Sequence, residues 1–227
     1  MNVVVGASRA RDIAKTILIK SNPLVEVWSL PGGKYAGMKQ LIEKHTLYHH
    51  GGPPDSQETT QIYVIAGICD ISQKVSSYKN KYKEIVFLEN SNDCVTRVKN
   101  EIQNLHQHIL DLNYSPIFAT IIPTHLEKLN FHWLDHNVTM KLDYSHQYSI
   151  MQDGLLESIK ELNAYIPTIN KSLGLSTPCL HRTVLHNKSK GRSYFQHSRL
   201  HDGCHADESL NLSLAECLDR SFTLNRP

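Results

Sequence analysis

Three residues near the two ends of this sequence have the types needed for acyl transfer. Ser8 follows a short β-branched run at 2–5 and precedes a stretch rich in helix formers. A hydroxyl at a strand-to-helix turn lies beside backbone N–H groups without helical partners, which can stabilise an oxyanion. Asp202 and His205 stand three residues apart, and a carboxylate can orient an imidazole as a general base. The alternatives are that Ser8 caps a helix, that Asp202-Gly203 forms a turn and that His205 opens the last helix.

Strands and helices are predicted to alternate along the chain. Apolar runs predict strands, and apolar residues at steps of three and four predict helices. The predicted strands cover 2–5, 25–30, 62–66, 117–122 and 179–185. The predicted helices cover 10–20, 37–45, 91–112, a long segment with apolar positions from 155 to 173, and 207–221. This order predicts one α/β domain over 1–227, with a three-layer α/β/α arrangement and a five-stranded parallel, flavodoxin-like sheet.

The predicted sheet gathers candidate site residues at one edge, because ligands bind beyond the carboxyl ends of parallel strands. Ser8 follows the first strand, and Gly32 and Gly33 follow the second. Cys69 and Asp70 follow the third. The intervening segments 49–60, 125–145 and 187–202 are predicted to be loops, and a short extended piece is predicted at 84–88.

Four short motifs carry a resemblance to a known family. They are Gly-Ala-Ser at 6–8, Leu-Pro-Gly-Gly at 30–33, Gly-Ile-Cys-Asp at 67–70 and Asp-Gly-Cys-His at 202–205. In this order, and on the predicted elements, they resemble the blocks of the SGNH/GDSL hydrolases. The Leu-Pro-Gly and Asp-Gly-x-His variants look most similar to esterase-like domains of animal transposable elements.

The resemblance implies a serine esterase with a small acyl or acetyl ester as substrate and a covalent seryl intermediate. It makes Ser8 the nucleophile, His205 the general base and Asp202 the residue that orients the imidazole. The implied oxyanion hole comprises the Ser8 N–H, Gly32 (or Gly33) and the position of Cys69. Three further residues border the implied site and are predicted to contact substrate: Arg9, Arg11 and Asp70.

Two departures from the family pattern set up an alternative. Ala7 replaces a non-catalytic Asp, whereas Cys69 replaces the Asn whose amide is an oxyanion donor. A thiol is a weaker donor than an amide, and losing one oxyanion donor costs on the order of 10²–10³ in turnover. The second hypothesis is therefore an inactive SGNH-like module that binds nucleic acid or protein, with Lys-rich stretches at 74–83 and 188–199 as candidate contacts. A third is an unrelated flavodoxin-like domain.

Composition excludes several other classes. The net charge of +2 is too small to indicate nucleic-acid binding on its own. The five cysteines form no Cys-x-x-Cys pair, and the spacing of His197, His201 and Cys204 matches no common zinc pattern, so we predict no metal and no cofactor. Neither a signal peptide nor a membrane-spanning run is recognisable, which predicts a cytoplasmic protein without membrane contact.

Overall fold

The structure is a computed structural model that describes residues 1–20, 25–49, 60–76, 83–87, 91–133, 145–187 and 193–225. Its strands are β1 (Asn2–Gly6), β2 (Val25–Ser29), β3 (Gln61–Ile65), β4 (Ser72–Ser76), β5 (Lys83–Phe87), β6 (Ser115–Phe118), β7 (Leu185–Asn187) and β8 (Ser193–Phe195). Its α-helices are α1 (Ser8–Lys20), α2 (Tyr35–His49), α3 (Ile68–Ile71), α4 (Ser91–Asp111), α5 (Leu126–Trp133), α6 (Ser145–Ser172) and α7 (Glu208–Leu224). Two 3₁₀ helices span Leu180–Val184 and His197–Arg199.

A parallel sheet in the order β2-β1-β3-β6 lies at the centre. Gly6, the last residue of β1, stands in register with Ser29 of β2 and with Ile65 of β3. The carboxyl ends of these three strands therefore lie side by side, and the residues that follow them meet at one edge. Two antiparallel hairpins, β4–β5 and β7–β8, lie outside this sheet.

Helices cover both faces of the sheet, as the three-layer prediction required. Alternate residues of the central strands point to opposite cores: Val3 and Val5 pack with α2, α4 and α6, whereas Val4 and Tyr63 pack with α1 and α7. All four side chains are fully buried. This burial on both faces explains why β1 and β3 read as continuous apolar runs. Within the described ranges, no helix is both long and apolar enough to span a bilayer.

The predicted fifth strand at 179–185 is wrong. Residues Leu180–Val184 form a 3₁₀ helix instead, and the part of the chain that the structure describes contributes four strands to the main sheet. The exposed edge of β6 is closed by side chains. Asn170 of α6 accepts from the Phe118 N–H at 2.9 Å and donates to the Phe118 carbonyl at 2.8 Å, so one amide takes the place of a neighbouring strand.

Three segments predicted as irregular or extended contain regular structure. The extended piece at 84–88 largely coincides with β5, which pairs with β4 rather than with the main sheet. The predicted loop at 125–145 begins with α5, and that at 187–202 includes β8 and a 3₁₀ turn. The remainder of these loops, 134–144 and 188–192, and residues 50–59 of the loop at 49–60 lie outside the described residues.

Candidate active site

Ser8 is the first residue of α1 and directly follows the turn after β1. Its side chain is half-buried, and its Oγ lies 3.0 Å from Nε2 of His205. The two residues are 197 positions apart in the sequence. The contact forms because α1 and the loop before α7 both lie at the carboxyl edge of the sheet. The Ser8 N–H opens the helix and, like other first-turn amides, has no partner within it.

Asp202 holds the imidazole of His205 from the opposite side. Its Oδ2 lies 2.6 Å from the His205 Nδ1, and its Oδ1 accepts the backbone N–H groups of Cys204 at 2.8 Å and His205 at 2.6 Å. Burial alone would raise the pKa of Asp202, but the hydrogen bonds from the His205 ring and from these two N–H groups hold it well below its usual range. An ionised carboxylate only accepts, so Nδ1 carries the proton and Nε2 accepts from the Ser8 hydroxyl.

The turn that contains Asp202 and His205 is fastened to the start of α5. Gly203 has a φ of +83°, and a Cβ there would lie 2.5 Å from the Leu129 nitrogen and 2.6 Å from the His125 carbonyl oxygen. The Gly203 carbonyl accepts the His125 N–H at 2.8 Å, and Lys128 Nζ donates to the carbonyl of Leu200. Only glycine fits this close approach at a positive φ. The sequence did not indicate α5, because the spacing of Leu126 and Leu129 is too short a pattern.

Arg9 does not bind substrate as the sequence suggested. Its side chain is buried, with the residue 9% exposed. The guanidinium donates to the carbonyls of Cys204 at 2.9 Å and Pro123 at 3.1 Å, to the Ile122 carbonyl, and to the Thr124 hydroxyl at 2.5 Å. These contacts tie the residue after Ser8 to the His205 loop and to the segment after β6. Arg9 therefore positions the site rather than facing a ligand.

The predicted oxyanion loop forms a tight turn after β2. Gly32 takes a φ of +67°, as the third position of a type II turn requires, with Pro31 before it. The Gly33 N–H donates to the Leu30 carbonyl at 2.8 Å and closes the turn, so Gly33 is not the oxyanion donor. Gly32 is exposed in this turn, so its N–H remains a candidate oxyanion donor beside the Ser8 N–H.

Cys69 lies in α3, which is separated from the end of β3 by two residues, and the sequence resemblance predicts an oxyanion donor at this position. Its side chain is half-buried. Burial raises the pKa of the thiol, and the neighbouring charges of Cys204 and Asp70 raise it further. The thiol is therefore protonated at neutral pH. It is a weak hydrogen-bond donor and a poor nucleophile compared with a thiolate.

Asp70, also predicted to contact substrate, is buried and faces the protein interior. The residue is 1% exposed, and its Oδ1 accepts the backbone N–H of Tyr35, the first residue of α2, at 3.2 Å. Burial raises the pKa of Asp70 to about 7. The carboxyl thus caps α2 and does not reach a ligand. Arg11, the third residue predicted to bind substrate, has a side chain that is 43% exposed and pairs with Asp12 at 3.2 Å.

Histidines that the sequence analysis did not place in the site surround the Asp202 turn. The His201 Nε2 lies 3.9 Å from the Asp202 Oδ2, and its ring centre lies 5.9 Å from that of His205. His125 and His197 stack with ring centres 4.3 Å apart. His201 directly precedes Asp202 in the sequence, and this adjacency could have indicated that His201 lies at the site. Nothing in the sequence brings 125 and 197 together.

A separate cavity of about 710 Å³ lies between α6 and the first 3₁₀ helix. Its lining includes Ile159 and Pro167 of α6, His181 of the 3₁₀ helix and Phe195 of β8. Because the lining does not include Ser8 or its two partners, we do not assign this cavity to the chemistry of the triad.

Known structures resemble this architecture over nearly its whole length. A GDSL-like lipase from Bacteroides thetaiotaomicron aligns with 98% of this chain and 87% of its own, at 11% identity and a TM-score of 0.61. An acetyl xylan esterase aligns with 97% of this chain and 99% of its own, at 14% identity and a TM-score of 0.55. The chain has the SGNH/GDSL hydrolase fold. The OSK domain of Drosophila Oskar shares this SGNH-like fold, covering 96% of this chain and 86% of its own at 13% identity and a TM-score of 0.57. No protein-family model matches the sequence, and neither does any curated protein.

Proposed function

We propose that the protein is a serine hydrolase that cleaves a small acyl or acetyl ester. The observation that carries the proposal is the hydrogen-bonded chain from the Ser8 Oγ to the His205 Nε2 at 3.0 Å and from the His205 Nδ1 to the Asp202 Oδ2 at 2.6 Å. Nucleophile, base and orienting group are all within the reach that acyl transfer requires without a substrate bound.

The chemistry follows from the protonation states of the three groups. The His205 Nε2 takes the Ser8 proton as Oγ attacks the ester carbonyl carbon, and Asp202 stabilises the resulting imidazolium. The N–H groups of Ser8 and Gly32 are the proposed donors to the oxyanion. The imidazolium then gives its proton to the leaving alcohol, and water repeats the sequence to release the acid and free Ser8.

Two arguments support the proposed substrate class: the number of proposed oxyanion donors and the names of structures with a similar fold. In this proposal the N–H groups of Gly32 and Ser8 donate to one carbonyl oxygen, which suits a simple carboxylic ester. Two structures of similar fold are named as a lipase and as an acetyl xylan esterase, and both names denote ester hydrolysis. Short acyl esters are therefore the first substrates to test.

Hydrolysis of p-nitrophenyl acetate and butyrate tests the proposal. We expect measurable turnover by the wild-type protein and none above background for Ser8→Ala. Ser213→Ala is the matched control, because the Ser213 hydroxyl donates within α7 to the Ser209 carbonyl. Equal rates in wild type and Ser8→Ala would refute a seryl intermediate.

We also propose a reducing, cytoplasmic location. All five cysteines are free thiols, although the chain holds enough of them for two disulfides. Disulfides persist in oxidising compartments and are rare in the cytosol. Free thiols at every position are the pattern that the cytosol favours.

A second candidate function is a binding module that has lost hydrolysis. The observation in its favour is the protonated thiol of Cys69, at the position where the sequence resemblance predicts an oxyanion amide. The Lys-rich stretches proposed to contact nucleic acid lie mostly outside the described residues or without described side chains. Absence of turnover by wild type on both esters would favour this candidate over the esterase.

A further inference from the structure

The three side chains of the turn before α7 form a cluster of metal-binding type. His201, Asp202 and His205 can each offer one ligand atom, and these atoms all lie within 4.8 Å of one another. His201 is the exposed member, with 58% of its side chain accessible, whereas the Asp202 side chain is 5% accessible. The turn is held closed by the His201 N–H, which donates to the His205 carbonyl at 2.9 Å. A cation can therefore approach from the His201 side without opening the turn.

We propose that these three residues bind a zinc ion and that the bound ion switches off the hydrolysis proposed above. The regulatory part of this inference rests on the proposed function. The ligand set differs from the combination of His197, His201 and Cys204 whose spacing matches no common zinc pattern. It consists of two imidazoles and a carboxylate, the ligand types that zinc takes together with one open position for water.

The distances suit a tetrahedral ion after small side-chain movements. Zinc–ligand bonds of about 2.0–2.2 Å put neighbouring ligand atoms roughly 3.3 Å apart. The separations in the cluster bracket this value, with 2.6 Å between the His205 Nδ1 and the Asp202 Oδ2 and 3.9 Å between the His201 Nε2 and the same oxygen. His201 lies farther from this oxygen than His205 does, so its ring is the ligand that moves when the ion binds. Oδ1 of Asp202 stays bonded to the backbone, which leaves Oδ2 for the ion.

An ion at this place removes the general base. Zinc takes the electron pair of the His205 Nδ1, so the single proton of the neutral imidazole moves to Nε2. Nε2 lies 3.0 Å from the Ser8 Oγ and then faces it as a donor, unable to accept the hydroxyl proton. The negative charge of Asp202 is also neutralised, so it no longer stabilises an imidazolium. The zinc-bound form is therefore inactive because it lacks a general base, even if the substrate can still reach Ser8.

Calorimetric titration of zinc chloride into chelator-treated protein tests the ligand set directly. We expect His201→Ala to weaken zinc binding by at least about tenfold, because even the loss of a supporting outer-shell contact costs about 10- to 100-fold in affinity. Two control variants remove the other two members of the His197, His201 and Cys204 combination. His197→Ala and Cys204→Ser should bind zinc as wild type does. Wild-type affinity in His201→Ala, or a loss in Cys204→Ser equal to that in His201→Ala, would overturn the assignment.

Inhibition of p-nitrophenyl acetate hydrolysis tests the regulatory part. Each protein is compared with its own metal-free rate, and the half-inhibiting zinc concentration should rise in His201→Ala by the factor found calorimetrically. Undiminished turnover by zinc-saturated wild type would show that the ion does not sit on the His205 Nδ1. If metal-free wild type hydrolyses no ester, the proposed function and the regulatory role fail together, whereas the calorimetry still decides the ion site.

Discussion

At the scale of single residues, the candidate site contains the three hydrogen-bonded groups of the proposed proton transfer, whereas its proposed oxyanion side includes a thiol in place of an amide. The short contacts of His205 to Ser8 and to Asp202 satisfy what a general base needs. The oxyanion side has the N–H groups of Ser8 and Gly32 and a thiol at position 69. Since charge stabilisation in the transition state is commonly the largest catalytic contribution, we expect the thiol to limit the rate of the proposed hydrolysis.

Cys69→Asn is expected to raise kcat for p-nitrophenyl acetate, by up to about 10²-fold, because an amide donor restores the missing hydrogen bond. KM should change little, since the oxyanion forms only in the transition state. Steady-state kinetics on Cys69→Asn and Cys69→Ala measures both constants. The alanine variant removes the thiol without adding a donor, so an equal rise in both variants would contradict the hydrogen-bond explanation.

Sequence motifs indicated which residues meet in the site but not what their neighbours do. Ser8, Asp202 and His205 stand in recognisable short blocks, and the structure brings them together. The roles suggested for Arg9 and Asp70 did not follow, because their partners are main-chain groups distant in sequence. Arg9 contacts the carbonyls around Ile122 and at Cys204, and Asp70 contacts the Tyr35 N–H. Every residue type has the same main-chain groups, so the sequence does not show which residue supplies such a partner.

At the scale of elements, α6 replaces a strand at the open edge of the sheet. Asn163 accepts from the Ile121 N–H at 2.6 Å and donates to the Ile121 carbonyl at 2.9 Å, as Asn170 does with Phe118. The seven-residue spacing puts both amides on the same face of α6. An unpaired strand edge is a site of aggregation, and these amides satisfy it without another strand.

This edge explains the error in the predicted fifth strand. The segment 179–185 carries the short β-branched and apolar pattern of a buried strand, and alternation of strands and helices favoured one there. The backbone groups that such a strand would pair with are already bonded to α6. In the sequence, the two asparagines of α6 are only polar residues within a helical pattern. The pattern therefore could not show that their side chains take the hydrogen bonds of a neighbouring strand.

Asn170→Leu is expected to lower the free energy of unfolding by roughly 2–6 kcal/mol, because two buried backbone groups lose their partner and each costs about 1–3 kcal/mol. Asn170 is fully buried, and leucine has the same number of side-chain heavy atoms and the same branching but no hydrogen-bonding atoms. Urea unfolding followed by circular dichroism measures the change. Asn104→Leu on the exposed face of α4 is the control. A loss no larger than that of the control would show that β6 does not depend on this amide.

At the scale of the whole molecule, the site exists only when the two ends of the chain pack together. α1 and α7 lie on the same face of the sheet and share one core, which includes Ile13 and Leu214. The opposite face is closed by α2, α4 and α6. Asp70 links that face to the site edge, because it caps α2 from the residue after Cys69. Its charge state therefore affects the stability of the fold.

Stability is expected to fall as pH rises from about 4 to about 7, and the buried carboxyl of Asp70 is the cause. Its folded pKa of about 7 lies above the usual 3.8, since burial disfavours the charged form. Between these values the unfolded chain releases a proton that the folded protein retains, so the loss is complete above pH 7. The shift corresponds to at most about 4 kcal/mol, at roughly 1.4 kcal/mol per pKa unit.

Asp70→Asn removes this titration while keeping an oxygen that can accept from the Tyr35 N–H. Urea unfolding at intervals between pH 4 and pH 8 should therefore give a flatter stability profile for Asp70→Asn than for wild type. Asp153→Asn, at an exposed position of α6, should retain the wild-type slope. If Asp70→Asn kept the full slope, the pH dependence would have to arise from other carboxyl groups, and Asp70 would be ionised in the folded protein throughout this range.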